Sequence, residues 1–194
     1  MEINNSLLRK EGAKMGVYLG IIVVFLTILP MYYYVTSTSF WTVTLGTVIT
    51  GFFLPLVVAF WLTFILRKRI GGYWAFKQAV TGIFVMLFVA SVISTISGLV
   101  FEKVIEPDMR ERYMRNMQNN TIEFMENANV DAEQIDEQMA KLDEQIEATA
   151  KSTPLDTLKG FMIYIVVAFI LAMIFALISK RERPMFHNPE ISIE

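Results

Sequence analysis

The sequence predicts an all-α integral membrane bundle: four transmembrane helices, with an extracytoplasmic helical hairpin between the third and the fourth. Three observations carry this. No Asp, Glu, Lys, Arg or His falls between Lys14 and Arg67, between Lys77 and Glu102, or between Lys159 and Lys180. A spanning helix needs about 20 apolar residues, so the first block holds two spans and the other two hold one each. The chain is 54% hydrophobic with a mean hydropathy of +0.46, too apolar for a soluble domain of 194 residues. The charges are also segregated. Residues 102–159 hold seven basic and fourteen acidic side chains, net −7, and the remainder holds ten and five, net +5.

The first span is expected over Met15–Val35 and ends in Tyr32-Tyr33-Tyr34, an interfacial aromatic belt. It is too long for a cleaved signal peptide, and no small-residue cleavage site follows it. Thr36-Ser37-Thr38-Ser39 makes a short turn, so the second span, from Phe40 to about Leu66, runs antiparallel beside the first. Pro30, and Pro55 near Gly51, are expected to kink their helices. Arg67-Lys68-Arg69 closes the second span and Gly71-Gly72 breaks the helix. Tyr73-Trp74-Ala75-Phe76-Lys77 reads as a helix start lying in the interface ahead of a third span, about Ala79–Ile105. The fourth opens at Thr153-Pro154-Leu155-Asp156: an N-cap, a first-turn proline and an acid that complements the helix dipole. It ends at Ser179, before Lys180-Arg181-Glu182-Arg183-Pro184.

Four spans place the N-terminus, the second-to-third connection and the C-terminus on one side, and those three segments are the basic ones. The positive-inside rule makes that side cytoplasmic. The expectation is a bacterial inner-membrane protein, multi-pass, with both termini cytoplasmic and residues 107–152 periplasmic. Three stretches follow: 1–106 with three spans, 107–152 as an acidic, Met-rich hairpin, and 153–194 with the fourth span and a tail. In the hairpin, Met114, Met117, Thr121, Phe124 and Ala128 form one heptad-like stripe; Ile135, Met139, Leu142 and Ile146 form another. The turn Asn127–Asp131 separates two arms of about 20 residues, each about 30 Å long, expected to project as a stalk.

Chemistry-bearing patterns are few. Asn127, Asn129, Asp131 and Glu133 alternate like a calcium loop, but Ala132 stands where that loop needs Gly and Gln138 where it needs Glu. The pairs Asp136/Glu137 and Asp143/Glu144 lie on the wet face of an amphipathic helix. With no Cys and one His, His187, no thiolate or multi-histidine metal site exists. No cofactor and no catalytic set is expected, and nucleic acid is not a partner. Inside the bilayer the polar signal is hydroxyls and small residues: Ala90, Ser94 and Gly98 with Ser91 and Ser97 on the third span, Ala168, Ala172 and Ala176 on the fourth, Gly16 and Gly20 on the first. These are small-xxx-small packing faces. Arg67, Lys68, Arg69, Tyr73, Trp74 and Phe76 are the candidate partner-binding residues on the basic rim, which also favours anionic lipid.

The block Gly72-Tyr-Trp-Ala-Phe-Lys-Gln-Ala-Val-Thr-Gly-Ile-Phe84, the serine-rich third span running into Glu106-Pro107, the acidic insertion and the last span resemble domain-of-unknown-function family 4199. The resemblance implies four helices in a bacterial inner membrane, a long loop between the third and fourth, and no established activity. It also implies a gene neighbourhood shared with a polyprenyl-phosphate-type glycosyltransferase. Two function classes stand. One is a non-enzymatic scaffold or accessory subunit binding a membrane-protein partner in cell-envelope biogenesis, with a lipid-linked-sugar glycosyltransferase as the candidate. The other is a small transporter or lipid-handling protein acting as a homo-oligomer, which needs a polar-lined cavity.

Overall fold

The computed structural model describes residues 5–150 and 153–181. The elements are α1 (Asn5–Tyr34), α2 (Phe40–Val48), a π-helical turn (Ile49–Phe53), α3 (Leu54–Arg69), α4 (Phe76–Val100), a second π turn (Phe101–Ile105), α5 (Met109–Asn127), α6 (Ala132–Ala150) and α7 (Pro154–Ser179). Among the described residues four helical stretches are long and apolar enough to cross a membrane: Asn5–Tyr34, Phe40–Arg69, Phe76–Ile105 and Leu158–Ser179. The chain is a multi-pass helical membrane bundle. Among the described residues every regular element is a helix.

Proline chemistry shapes the second span. Pro55 has no N–H to return to the preceding turn, and the ladder there widens into the π turn Ile49–Phe53 instead of breaking. The expected kink is therefore an inserted residue, and α2 continues into α3 as one membrane-long rod.

The bundle is organised around α1 and α4, which lie along one another over the greatest length. Glycines allow this. A Cβ on Gly12 would sit 2.7 Å from the Gly82 carbonyl oxygen, one on Gly16 would sit 2.6 Å from that of Met86, and one on Gly20 would sit 2.9 Å from Ile93 Cβ. Three glycines at four-residue spacing bring two backbones together, and steric fit is what associates helices in lipid. The shared core adds Leu8, Met15 and Leu19 of α1, Leu62 and Leu66 of α3, and Ile83, Met86 and Ala90 of α4. α7 packs chiefly along α4. Its buried face is Ala168, Ala172, Phe175 and Ala176. Phe175 meets Phe60 of α3 edge-on at 5.2 Å near the basic end. At the acidic end α7 stands away: Leu155, Leu158 and Met162 are all exposed.

The hairpin does not project as a stalk. α5 lies back over the ends of α1 and α2. Asn116 Nδ2 donates to the carbonyls of Tyr34 (2.7 Å) and Ser37 (2.8 Å), and Asn120 Nδ2 donates to Ser37 (3.0 Å). Tyr113 Oη lies 2.9 Å from Thr47 Oγ1, and Phe124 stacks on Phe40 at 4.4 Å. The Tyr34 carbonyl ends α1 and that of Ser37 lies in the turn beyond it, so α5 helps to cap this end of the helix. α6 packs on α5, and Ile135, Met139, Leu142 and Ile146 are half-buried. Asn129 takes the left-handed conformation (φ 54°) in the turn, which Asn tolerates. The residues of the calcium-like pattern thus end one helix and open the next.

Candidate functional site

The basic end is where the sequence places a partner-binding surface, and the structure shows what each residue does there. Gly71 and Gly72, at φ 106° and 83°, turn the chain sharply after α3. Tyr73–Ala75 are not helical, so the expected interfacial helix start is replaced by an extended segment, and α4 begins at Phe76. The cause is pairing across the bundle. The Trp74 amide donates to the Arg181 carbonyl at 2.9 Å, and the Arg181 amide returns a bond to Trp74 at 3.2 Å. Trp74 Nε1 donates to the Ser179 carbonyl at 3.0 Å, and Arg67 Nη1 donates to the same oxygen at 3.1 Å.

That oxygen belongs to the last turn of α7, where carbonyls lack helical partners and the dipole favours a cation. Arg67 supplies the cation, with its guanidinium 5.1 Å above the Phe64 ring. Arg181 lies 5.4 Å over Tyr73. The result is a clasp that ties the C-terminal end of α7 to the α3–α4 connection.

Trp74 is only 2% exposed. It is a structural anchor and offers a partner no surface, so it cannot serve as a probe of partner binding. Arg67 and Tyr73 are half-buried in the same clasp. Lys68, Arg69 and Phe76 remain exposed, with Lys10 and Lys77 on the same rim. Residues 182–194, which include Arg183, Pro184 and His187, lie outside the described residues.

Sequence reasoning missed Glu11. It is nearly buried on α1 and joins Lys14 Nζ at 2.6 Å to Arg69 Nη1 at 3.5 Å, linking α1 to the end of α3. Its signal was an acid set between Arg9-Lys10 and Lys14. Two buried groups in the clasp, Arg67 Nε and the Ser179 hydroxyl, have no hydrogen-bond partner among the described residues.

The packing residues divide. Ala90, Ala168, Ala172 and Ala176 are buried in the shared core. Ser94 and Gly98 are only half-buried, and a Cβ on Gly98 would meet nothing within 4 Å. Ser91 returns its hydroxyl to the Phe88 carbonyl at 2.7 Å, and Thr63 does the same to Ala59 at 2.9 Å.

The arrangement defines a polytopic helical membrane protein with a clasped basic end and an open acidic end. Residues 14–181 match the family model described as protein of unknown function (DUF4199), and the chain belongs to that family. No curated protein and no solved structure matches the chain.

Proposed function

We propose that this protein is a non-enzymatic scaffold or accessory subunit of a bacterial inner membrane. Both termini and the α3–α4 connection lie in the cytoplasm, and residues 107–152 lie in the periplasm. It docks a membrane-protein partner of cell-envelope biogenesis, with a glycosyltransferase acting on a lipid-linked sugar as the candidate. The observation that carries this is the basic rim. After the clasp and Glu11 have taken their share, Lys10, Lys68, Lys77 and Phe76 still face outward together. A charged rim with an exposed aromatic fits a partner seated at the headgroup level. The membrane-depth hydroxyls of Thr63 and Ser91 donate to carbonyls of their own helices.

Orientation is tested by replacing Lys10, Lys77 or Gln134, all exposed, one at a time with Cys in this Cys-free chain. An impermeant thiol reagent applied to spheroplasts is expected to label only position 134. Labelling at 10 or 77 overturns the orientation. Partner binding is tested by copurification with Lys68→Ala/Lys77→Ala and with Phe76→Ala. Suppose no specific partner is lost, and the purified protein moves lipid or solute across liposomes. The scaffold reading then fails and the oligomeric transporter takes its place.

A further inference from the structure

The acidic end holds a cleft of about 1210 Å³ between the outer end of α4, the α5–α6 hairpin and the first turn of α7. Its inner wall is Ser94, Thr95, Gly98 and Leu99, still within the charge-free run that ends at Phe101. The exposed Leu155, Leu158 and Met162 keep this end of the bundle open to lipid. The rim is charged. A space with an uncharged, bilayer-facing wall and a charged mouth suits an amphiphile.

The charges on the rim say which one. Arg110 Nη1 donates to both Glu102 oxygens at 3.1 and 2.9 Å, and Arg115 is held by Glu111 at 2.6 Å. Asp156 is taken by the Thr153 hydroxyl and by Lys159. Two rim groups are left. Lys103, exposed on the π turn after α4, has no ion-pair partner among the described residues. Asp143 on α6 has, among the described residues, only the neutral Gln118 amide, at 2.7 Å. One uncompensated cation and one uncompensated anion face a common space from different elements.

We propose that this cleft binds the head group of a zwitterionic phospholipid with a primary ammonium. The phosphate pairs with Lys103, the ammonium donates to Asp143, and the acyl chains run beside the Ser94–Gly98 wall. A purely anionic lipid satisfies Lys103 and leaves Asp143 repelled. A quaternary ammonium cannot donate a hydrogen bond to Asp143. The proposal is independent of the partner docking at the basic end.

The test is native mass spectrometry of the full chain in mild detergent with added phosphatidylethanolamine, phosphatidylglycerol or phosphatidylcholine. Preferential retention of phosphatidylethanolamine is expected. Both groups are solvent-accessible, so removing either charge should lower that retention roughly two- to fivefold. Lys103→Gln should lower retention of phosphatidylglycerol as well, whereas Asp143→Asn should lower phosphatidylethanolamine alone. Lys141→Gln, which pairs with Glu137 and does not line the cleft, should change neither. Equal retention of the three lipids by the unaltered protein, or unchanged phosphatidylethanolamine retention in Asp143→Asn, overturns the proposal. Full displacement by millimolar soluble phosphoethanolamine also overturns it, because the ligand would then be a free solute and not a lipid.

Discussion

Gly16→Ala tests the central contact of the bundle. The added methyl would lie 2.6 Å from the Met86 carbonyl oxygen, 2.7 Å from Val89 Cβ and 3.1 Å from Val89 Cγ1. The first is backbone and the second is fixed to it, so no rotamer change gives relief. Ordinary contact begins near 3.4 Å, which leaves α1 and α4 to part by about 0.8 Å. A gap of that size forfeits a quarter to a half of each dispersion contact along the seam. Overpacking of this kind costs about 1–3 kcal/mol. Better helix propensity returns about 1 kcal/mol of it, leaving a net loss of up to about 2 kcal/mol. Gly98→Ala is the matched control: nothing lies within 4 Å of its Cβ position, so propensity acts alone and the variant should match or exceed the parent. The assay is equilibrium unfolding in a mild detergent, with both variants in parallel. Gly16→Ala as stable as Gly98→Ala would refute the claim that α1 and α4 meet through backbone.

The remaining predictions concern the two ends. Asp156 is held down to about 2 by hydrogen bonds from the Thr153 side chain and backbone, then by Lys159. Because its folded value lies below the ordinary 3.8, the cap of α7 is fully formed above about pH 4 and is lost as pH falls through 2. Titration of the Asp156 carboxyl by NMR should show this midpoint, and a value at or above 3.8 would refute the cap. Trp74→Phe keeps an aromatic ring but removes the Nε1 donor and part of the buried indole, and should cost at least about 0.5–1.5 kcal/mol, the cavity adding to the lost hydrogen bond. A double-mutant cycle with Arg67→Lys should show coupling, since both bond one oxygen, and strict additivity would argue against the clasp. Phe124→Ala loses the stack on Phe40 and an edge contact with Trp41 at 5.5 Å, worth about 0.5–1.5 kcal/mol beyond its area. It should speed proteolysis of the hairpin while the spans stay intact; unchanged cleavage would restore the free stalk.

The spans were legible because the bilayer demands long charge-free runs, and Lys14, Arg67, Lys77 and Lys180 bracket them plainly. The α7 N-cap was legible because Thr153, Pro154 and Asp156 act within one turn. What sequence could not give was pairing between distant segments. Nothing near Trp74 announces that Arg181 and Ser179 wait for its amide and indole. Nothing in Asn116 or Asn120 says that α1 ends beneath them, so the hairpin read as a stalk. The spacing of Gly16 and Gly20 marks a packing face, but their partner, α4, lies two spans on. The small-residue pattern also overreached: Ala90 is buried, while Ser94 and Gly98 of the same stripe border open space.

The glycine seam also bears on how the chain is made. Gly16 waits for Met86, seventy residues later, which at ordinary synthesis rates of about 5–20 residues per second is roughly 4–14 seconds. During that interval α1 is in the bilayer with its hydrogen bonds complete but its bare backbone face uncovered. Any neighbouring helix with small residues can occupy it, another nascent copy of α1 among them. A chain halted before α4 emerges should therefore pair with itself through Gly12, Gly16 and Gly20. Synthesis of α4 then offers that face its partner within the same chain.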